Sequence, residues 1–245
     1  MEKRLDKINE DISIYQYTDG FSYGTDAVLL ASFVKAKKGQ VGVELGTGTG
    51  IIPILIAYRK EIKKIFAFEI QKDYADLAKE NVALSSMSDR IEILHDDLKN
   101  ITPSYLREYG VESADFVFSN PPYMKMTSGF LNESERKLTA RHELKCDIND
   151  VCQAASRLLK NGGDFYVIYR PDRMCDLFVA LREVNLEPKE MTEVVSRVGE
   201  APTLILVRAR KGASSSMKVN APFVIYDGEN YTEKMLRVYE KGEIT

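Results

Sequence analysis

The chain has 245 residues, of which 44% are hydrophobic and 29% charged, enough for one large core with at most a small appendage. It contains no run of about 18 apolar residues, and its charged start, MEKRLDKINED, has no apolar segment behind it, so the sequence predicts a cytoplasmic protein without a membrane span. The net charge of -3 argues against a protein that coats nucleic acid through its overall charge, but it allows a local basic patch.

The cysteines and histidines do not indicate a metal centre or a disulfide framework. Cys146, Cys152 and Cys175 are odd in number and lie outside any CxxC pair. His95 and His142 are the two histidines of the sequence, too few for a histidine-rich site. We therefore expect no bound metal.

Short apolar runs alternate with amphipathic segments over most of the chain. Helical spacing of apolar residues predicts helices at 27–35, 51–60, 72–85, 148–160 and 174–184. Runs rich in β-branched and aromatic residues predict strands at 41–45, 64–70, 91–95, 114–119, 164–170, 190–198 and 204–212. This order predicts a doubly wound α/β fold with a mixed seven-stranded sheet, helices on both faces and an antiparallel last strand.

One serine-rich segment resembles a linker. KGASSSMKVN, at 211–220, follows the last predicted strand and separates it from a short tail. We therefore expect one main domain at 1–211 and a tail at 212–245 that packs on the same domain.

A glycine-rich turn follows the first predicted strand of the sheet, in VELGTGTGII. Gly46, Gly48 and Gly50 allow a tight turn and a close approach to a ligand, and the next helix offers unpaired N–H groups. The dinucleotide fingerprint G-x-G-x-x-G is not matched, because Ile51 follows a G-x-G-x-G run. A tight turn without any ligand remains the alternative.

Three acids lie at or just after the ends of successive strands. Glu44, Glu69 and Asp97 meet one crevice if these strands are parallel. Glu44 suits an ammonium group, Glu69 a ribose diol and Asp97 an adenine amino group. Each acid alone has an ordinary alternative as a helix cap or a loop charge. Together the acids predict S-adenosylmethionine as the cofactor. With VELGTGTG before them, the sequence resembles the class I methyltransferases, which implies a Rossmann-like fold.

A second motif, NPPY, follows the fourth strand of the sheet. Asn120, Pro121, Pro122 and Tyr123 form a rigid loop, since proline continues neither a ladder nor a helix. The asparagine side-chain carbonyl and a proline main-chain carbonyl can accept both N–H bonds of a planar amine, and the tyrosine can stack on a base. A proline-rich turn is the structural alternative. NPPY resembles the motif of amino-methyltransferases, whose targets are adenine N6, guanine N2, cytosine N4 or a glutamine amide, so these four residues are the catalytic candidates. Asn120 also borders the cofactor site.

The segment before the glycine turn narrows the family. DGFSYGTDAVLLASF, at 19–33, resembles the bacterial tRNA1(Val) (adenine-37-N6)-methyltransferase family, where G-T-D-x-x-L-L closes over the cofactor. The resemblance extends through LLKNGGDFYVIYRPDR to YTEKMLRVY near the end of the chain. It implies that Thr25 and Asp26 contact the cofactor. It also implies that the substrate is an adenine in structured RNA, in particular the tRNA adenine at position 37 next to the anticodon, flipped into the NPPY pocket. From the residues alone, Asp26 is equally an N-cap for the helix at 27–35.

A polar tract with basic residues in its middle, 125–147, follows NPPY. Lys125, Arg136, Lys137, Arg141 and Lys145 are the predicted RNA-binding residues, since an RNA backbone must pass beside the base pocket. Charges on a solvated loop are the alternative. The patch can be extended by a second set of cations, Arg170, Arg173, Arg208, Arg210 and Lys211.

Several other functions remain as alternatives. Glutamine N5-methylation of a release factor is disfavoured because about forty residues precede the glycine turn, too few for the helical recognition domain of such enzymes. Guanine-N2 methylation of rRNA uses the same motif. A non-catalytic cofactor-binding module does not require NPPY, and a dehydrogenase is opposed by Ile51.

Overall fold

The structure is a computed structural model that describes residues 2–20, 23–121 and 147–244. Its central element is a mixed β-sheet. The first seven strands in chain order are β1 (Lys3–Lys7), β2 (Ser13–Tyr17), β3 (Val41–Leu45), β4 (Lys64–Glu69), β5 (Ile91–His95), β6 (Ala114–Ser119) and β7 (Leu159–Tyr169). The later strands are β8 (Leu186–Val195), β9 (Pro202–Lys211), β10 (Lys218–Val219), β11 (Phe223–Val224), β12 (Tyr226–Asp227) and β13 (Asn230–Tyr231).

Helices fill the connections between these strands. The helices are α1 (Thr25–Phe33), α2 (Ile51–Arg59), α3 (Lys72–Leu84), α4 (Pro103–Arg107), α5 (Ile148–Leu158), α6 (Met174–Glu183) and α7 (Glu233–Lys241), with a 3-10 turn at Pro171–Arg173. The predicted helices are therefore confirmed within a few residues. The first one begins at Thr25, two residues earlier than its apolar pattern indicates.

The large sheet has the order β10-β8-β9-β7-β6-β3-β4-β5, with β11 also paired to β8. Strands β3 to β7 pair with one another in parallel, and β9 runs antiparallel to both β7 and β8. The predicted mixed sheet and its antiparallel last strand are confirmed. The seven predicted strands are present, and the tail adds β10 and β11, whose two residues each are too few to show a sequence pattern.

Apolar side chains cover both faces of the sheet, because parallel strands with helical connections are buried on each side. One core joins α1, α2 and α3 to the face of the sheet that carries Phe116 and Phe118. The other core joins α4, α5 and α6 to the face that carries Val43 and Val117. The carboxyl ends of β3, β4, β5 and β6 are thereby fixed along one rim.

The hairpin of β1 and β2 lies outside the large sheet and packs on α3. Asn81 of α3 is fully buried and holds it in place: its side-chain oxygen accepts the N–H of Tyr15 at 2.7 Å, and its Nδ2 donates to Tyr15 O at 3.0 Å. The same Nδ2 donates to Thr49 O in the glycine turn at 2.9 Å. Asn81 thus connects the N-terminal hairpin to the proposed cofactor crevice.

The segment that resembles a linker, 211–220, is anchored at both of its ends. Lys211 ends β9, and Asn220 Nδ2 donates to Glu190 Oε1 at 3.0 Å and to Thr192 Oγ1 at 2.9 Å. Burial raises the pKa of Glu190, but hydrogen bonds from Lys35, Asn220 and Arg208 outweigh it and lower that pKa to about 2. The domain boundary at residue 211 stays a prediction.

Two kinds of feature are not found in the described part of the chain, a membrane-spanning helix and a metal-binding group. No described helix is both long and apolar enough to span a lipid bilayer. The described residues also contain no group of three or more His, Cys, Asp or Glu side chains arranged to hold a metal ion.

Candidate functional site

The glycine turn follows β3 and opens onto the rim of the sheet. Gly46 and Gly48 have φ of +79° and +56°, in the left-handed region that favours glycine. The N–H groups of Gly46 and Thr47 both donate to Phe68 O of β4, at 2.9 Å. A Cβ added to Gly46 or Gly48 would meet no atom of the described residues within 4 Å, so these residues leave the space above the turn open to a ligand.

Gly50 has a different reason to be glycine. It is the N-cap of α2 with φ of +82°, and an added Cβ would lie 3.2 Å from the Cβ of Ala78 in α3. The close approach of α3 and the left-handed backbone therefore account for this residue. Its predicted contact with the cofactor stays a prediction.

Glu69, at the end of β4, braces the turn. Its Oε2 accepts the N–H of Gly48 at 2.9 Å, and its Oε1 accepts the N–H of Gln71 at 2.9 Å. The residue is 6% exposed. Each carboxylate oxygen has a further lone pair, so Glu69 can hold the turn and still accept a hydroxyl from a ligand.

Glu44, near the end of β3, is a buried acid. It is 0% exposed, and neither carboxylate oxygen makes a hydrogen bond with a described residue; the same holds for the Thr47 hydroxyl. Burial raises the pKa of Glu44 well above its usual value, and the negative charge of Glu69 adds to the rise. Thr47 is near enough to lower that pKa in part, although the two side chains do not reach hydrogen-bonding geometry. A cationic group would satisfy this carboxylate.

Asp97 follows β5 and is half-buried. Its Oδ1 accepts the N–H of Lys99 at 3.0 Å, and its own N–H donates to Asp96 Oδ1 at 2.7 Å. One oxygen of Asp97 is therefore engaged in the local turn, as the ordinary alternative expects. The structure places the residue on the same rim as Glu44 and Glu69, because β3, β4 and β5 are parallel neighbours.

Asn120 and Pro121 lie at the end of β6, beside β3. Just before them, the buried hydroxyl of Ser119 donates to Leu45 O at 2.7 Å and ties the end of β6 to the strand that leads into the glycine turn. Asn120 Nδ2 donates to Asp26 Oδ2 at 2.9 Å. The structure thus brings the upstream G-T-D segment and the start of NPPY together.

The expectation that Asp26 caps α1 is wrong. The helix begins at Thr25, its N-cap is Gly24, and no side chain caps it. Asp26 lies in the first turn of the helix, and its carboxylate is directed at Asn120 rather than at the helix N–H groups. Sequence reasoning missed this contact and the Ser119 contact, because nothing in the local pattern indicates either.

The remaining predicted site residues fall into two sets. Pro122, Tyr123, Lys125, Arg136, Lys137, Arg141 and Lys145 lie outside the described residues. The second set of cations does not form one patch. Arg170 and Arg173 follow the carboxyl end of β7 and pair with acids of their own segment, whereas Arg208 and Arg210 pair with Asp164 in the middle of that strand.

Residues 18–184 match the family model for the methyltransferase small domain. A tRNA1(Val) (adenine(37)-N6)-methyltransferase from Porphyromonas gingivalis is 32% identical over 188 residues, which cover 75% of this chain and 72% of the relative. One from Phocaeicola vulgatus is 29% identical and covers 81% of this chain and 80% of its own. One from Haemophilus influenzae is 27% identical and covers 92% of both chains.

Solved structures are similar in fold. A protein from Agrobacterium tumefaciens described as a predicted O-methyltransferase has a TM-score of 0.71 at 23% identity, covering 90% of this chain and 98% of its own. Methanocaldococcus jannaschii Trm5, in complex with adenosine, has a TM-score of 0.55 at 16% identity, covering 86% of this chain and 57% of its own. At these identities the likeness establishes the fold alone. It confirms the predicted Rossmann-like fold. The sequence matches show the family: the chain belongs to the methyltransferase small domain family and, within it, to the tRNA1(Val) (adenine(37)-N6)-methyltransferases.

Proposed function

We propose that this protein transfers a methyl group from S-adenosylmethionine to N6 of an adenine in tRNA, at position 37 as in the names of its relatives. The observation that carries the proposal is the placement of Asn120. It follows β6, beside the strand whose end carries the glycine turn and Glu44, a buried acid that accepts no hydrogen bond from a described residue. An amine held by this asparagine therefore lies next to the cofactor crevice. We place the enzyme in the cytoplasm, where tRNA is modified.

The residues on the rim fit this cofactor. Glu44 would pair with its ammonium group, which gives the buried carboxylate the partner that no described residue supplies. Glu69 would accept hydroxyl groups of the ribose, and Asp97 would accept from the adenine amino group through the oxygen not bound to Lys99. The open space above Gly46 and Gly48 allows the ligand to approach the backbone.

Methyl transfer needs an amine that is held in place rather than deprotonated. The N6 lone pair would take the electrophilic methyl that S-adenosylmethionine supplies when bound; the C–S electron pair would stay on sulfur, and one N–H proton would leave to water. Asn120 Oδ1 and the main-chain carbonyl of Pro121 would accept the two N–H bonds, which directs the nitrogen lone pair toward the methyl. Tyr123 would stack on the base.

A direct test is to incubate the protein with labelled cofactor and tRNA from cells that lack the corresponding gene, and then to identify and map the labelled nucleoside. We expect N6-methyladenosine at position 37. The Asn120→Ala variant is the matched control and should give no label above background at short times. Label in N2-methylguanosine, or in protein rather than RNA, would contradict the proposed substrate.

The tract after Pro121 is the proposed path of the RNA backbone. Neutralising Arg136, Lys137 and Arg141 together should weaken tRNA binding and flatten its salt dependence, because each phosphate contact releases a counterion. Cofactor affinity, measured by calorimetry, should not change.

A matched control for this triple variant removes three exposed cations at the opposite end of the sheet, Lys37, Lys38 and Lys63. These residues precede β3 and β4, far along the strands from Asn120. If both triple variants lower the salt slope equally, the tract has no special role in binding RNA.

A further inference from the structure

A hydrogen bond joins the G-T-D segment to the proposed active site. Asp26 Oδ2 lies 2.9 Å from Asn120 Nδ2, between residues 94 positions apart in the chain. Both residues are partly buried. The contact joins the first turn of α1 to the end of β6. The position of Asp26 is therefore fixed by the helix and that of Asn120 by the sheet.

The chemistry of the contact fixes which way the Asn120 amide faces. An ionised carboxylate can only accept hydrogen bonds, so the group directed at Asp26 must be the NH₂ of the amide and not its oxygen. The amide oxygen is therefore turned away from Asp26. The target amine donates its N–H to that oxygen. If the amide were flipped, its NH₂ group would face the N–H of the amine, and two donors cannot form a hydrogen bond.

Gly24 makes room for the carboxylate. Its backbone, with φ of −113°, is accessible to any residue, so the left-handed region does not explain this glycine. A Cβ added there would lie 2.7 Å from Asp26 Oδ1. Glycine at this position thus allows Asp26 to keep the position from which it reaches Asn120.

We propose that Asp26 is a positioning residue for methyl transfer, acting through Asn120; the inference rests on the proposed function. Its carboxylate holds the amide in the productive orientation. It also polarises the amide, because a charged acceptor on the N–H side increases the negative charge on the oxygen. That oxygen then interacts more strongly with the amine as positive charge develops on nitrogen during the transfer.

Two other roles for Asp26 make different predictions. An acid in the first turn of a helix favours folding through the helix dipole, and its loss would lower stability without a specific effect on rate. A direct contact with the cofactor, as the family resemblance implies, would appear as a loss of cofactor affinity. Positioning through Asn120 instead lowers the rate of methyl transfer and leaves cofactor and tRNA affinity nearly unchanged.

The decisive experiment is a double-mutant cycle on the full chain, measured as single-turnover rates with tRNA and saturating cofactor. Asp26→Ala should lower the rate by about 10- to 100-fold, the effect of losing one charge-assisted hydrogen bond. Asp26→Asn, which keeps an uncharged acceptor, should have a smaller effect. In the Asn120→Ala background, Asp26→Ala should cost little more, because the side chain on which it acts is already gone.

A second variant moves the carboxylate without removing it. Gly24→Ala introduces the Cβ that would lie 2.7 Å from Asp26 Oδ1 and should push the carboxylate away from Asn120. We expect a smaller rate loss than for Asp26→Ala, absent again when Asn120 is alanine. Asp73→Ala is the matched control, since Asp73 is also an acid in the first turn of a helix and is exposed. Its rate should equal that of the wild type.

An activity-independent measurement follows the Asn120 side-chain amide by ¹⁵N NMR of the protein without cofactor. Its protons should exchange more slowly with water in the wild type than in Asp26→Ala. Multiplicative rate losses in the cycle, or a large loss of cofactor affinity in Asp26→Ala, would overturn the inference. If the wild type methylates no RNA, the proposed function fails instead, and unchanged exchange in Asp26→Ala would then overturn the contact itself.

Discussion

The two halves of the crevice are held in different ways. In the cofactor half, the turn after β3 is fixed by bonds from its own N–H groups to Phe68 O and to the Glu69 carboxylate on the adjacent strand. In the amine half, Asn120 at the end of β6 is held by a side chain 94 positions away. A site built from backbone bonds between neighbouring strands leaves a compact motif in the sequence. A site held by a distant side chain leaves two fragments whose relation appears only in the fold.

If the halves are separate, changes in the cofactor half should abolish binding, and Gly48→Val should have the largest effect. Valine is strained at a φ of +56°, and its side chain would fill the open space above the turn. We expect no measurable affinity for S-adenosylmethionine by calorimetry. Gly39→Val is the matched control, because Gly39 has a φ of +78°, also faces open space and lies before β3. If both variants lost cofactor affinity equally, the cause would be backbone strain and not a blocked ligand site.

A change in the amine half should affect the rate instead. Asn120→Ala removes the acceptor that the amine needs in the transition state, so single-turnover methylation should fall by about 100-fold or more. Cofactor affinity should stay within about twofold, since the N–H groups of the glycine turn are held by Phe68 O and the Glu69 carboxylate. A large loss of cofactor affinity would show that the two halves are one coupled unit.

Glu69 sharpens the comparison within the cofactor half, because it both braces the turn and faces the proposed ribose. Glu69→Ala should weaken cofactor binding by about 1.5 to 3 kcal/mol through the loss of charge-assisted hydrogen bonds. Glu61 is exposed and lies three residues before the start of β4, at the opposite end of that strand from Glu69, so Glu61→Ala should bind like the wild type. Retained affinity in Glu69→Ala would reduce Glu69 to a structural acid.

The smallest effect is expected from Glu44→Gln in the protein without cofactor. Burial raises the pKa of Glu44 in the folded chain above its value in the unfolded chain. The folded state therefore keeps a proton that the unfolded state has lost, and the free energy of unfolding falls as the pH rises from the ordinary carboxyl pKa through the raised value. The variant should lack this decline and be about 1 kcal/mol more stable at neutral pH.

Denaturant titrations at a series of pH values measure this difference, and the same variant should bind S-adenosylmethionine more weakly. In the wild type, binding should release protons wherever free Glu44 is protonated, which calorimetry detects in buffers of different ionisation enthalpy. Parallel stability curves for wild type and variant would mean that Glu44 has an ionic partner in solution, and the assignment of the ammonium site would fail.

The difference between local patterns and contacts of distant side chains explains how much of the fold and the site the sequence could predict. The strands of the sheet were predictable because parallel strands are buried on both faces and read as apolar runs. The glycine turn was predictable because left-handed backbone at Gly46 and Gly48 restricts residue choice. The helix start at Thr25, the contact of Asp26 with Asn120 and the bonds made by Asn81 were not predictable, because they depend on which elements meet in space.

Glycines show the same limit at single residues. Gly24, Gly48 and Gly50 are each glycine for a different physical reason. The reasons are, in that order, room for a carboxylate, an open ligand crevice and contact with α3. The sequence indicates that glycine is needed in such a motif, but only the neighbours in the fold show why. The predicted role of Gly50 at the cofactor rested on its place in the motif.

The two short strands of the tail also have a consequence for how the protein behaves at high concentration. β10 and β11 pair with β8 at Glu190–Met191 and Val194–Val195, so the tail occupies the outer edge of a ten-residue strand. Without it, that edge would present unpaired N–H and C=O groups to other molecules and invite edge-to-edge association. A chain shortened at residue 211 would accordingly be prone to aggregate even with its crevice intact. By covering this edge, β10 and β11 reduce self-association.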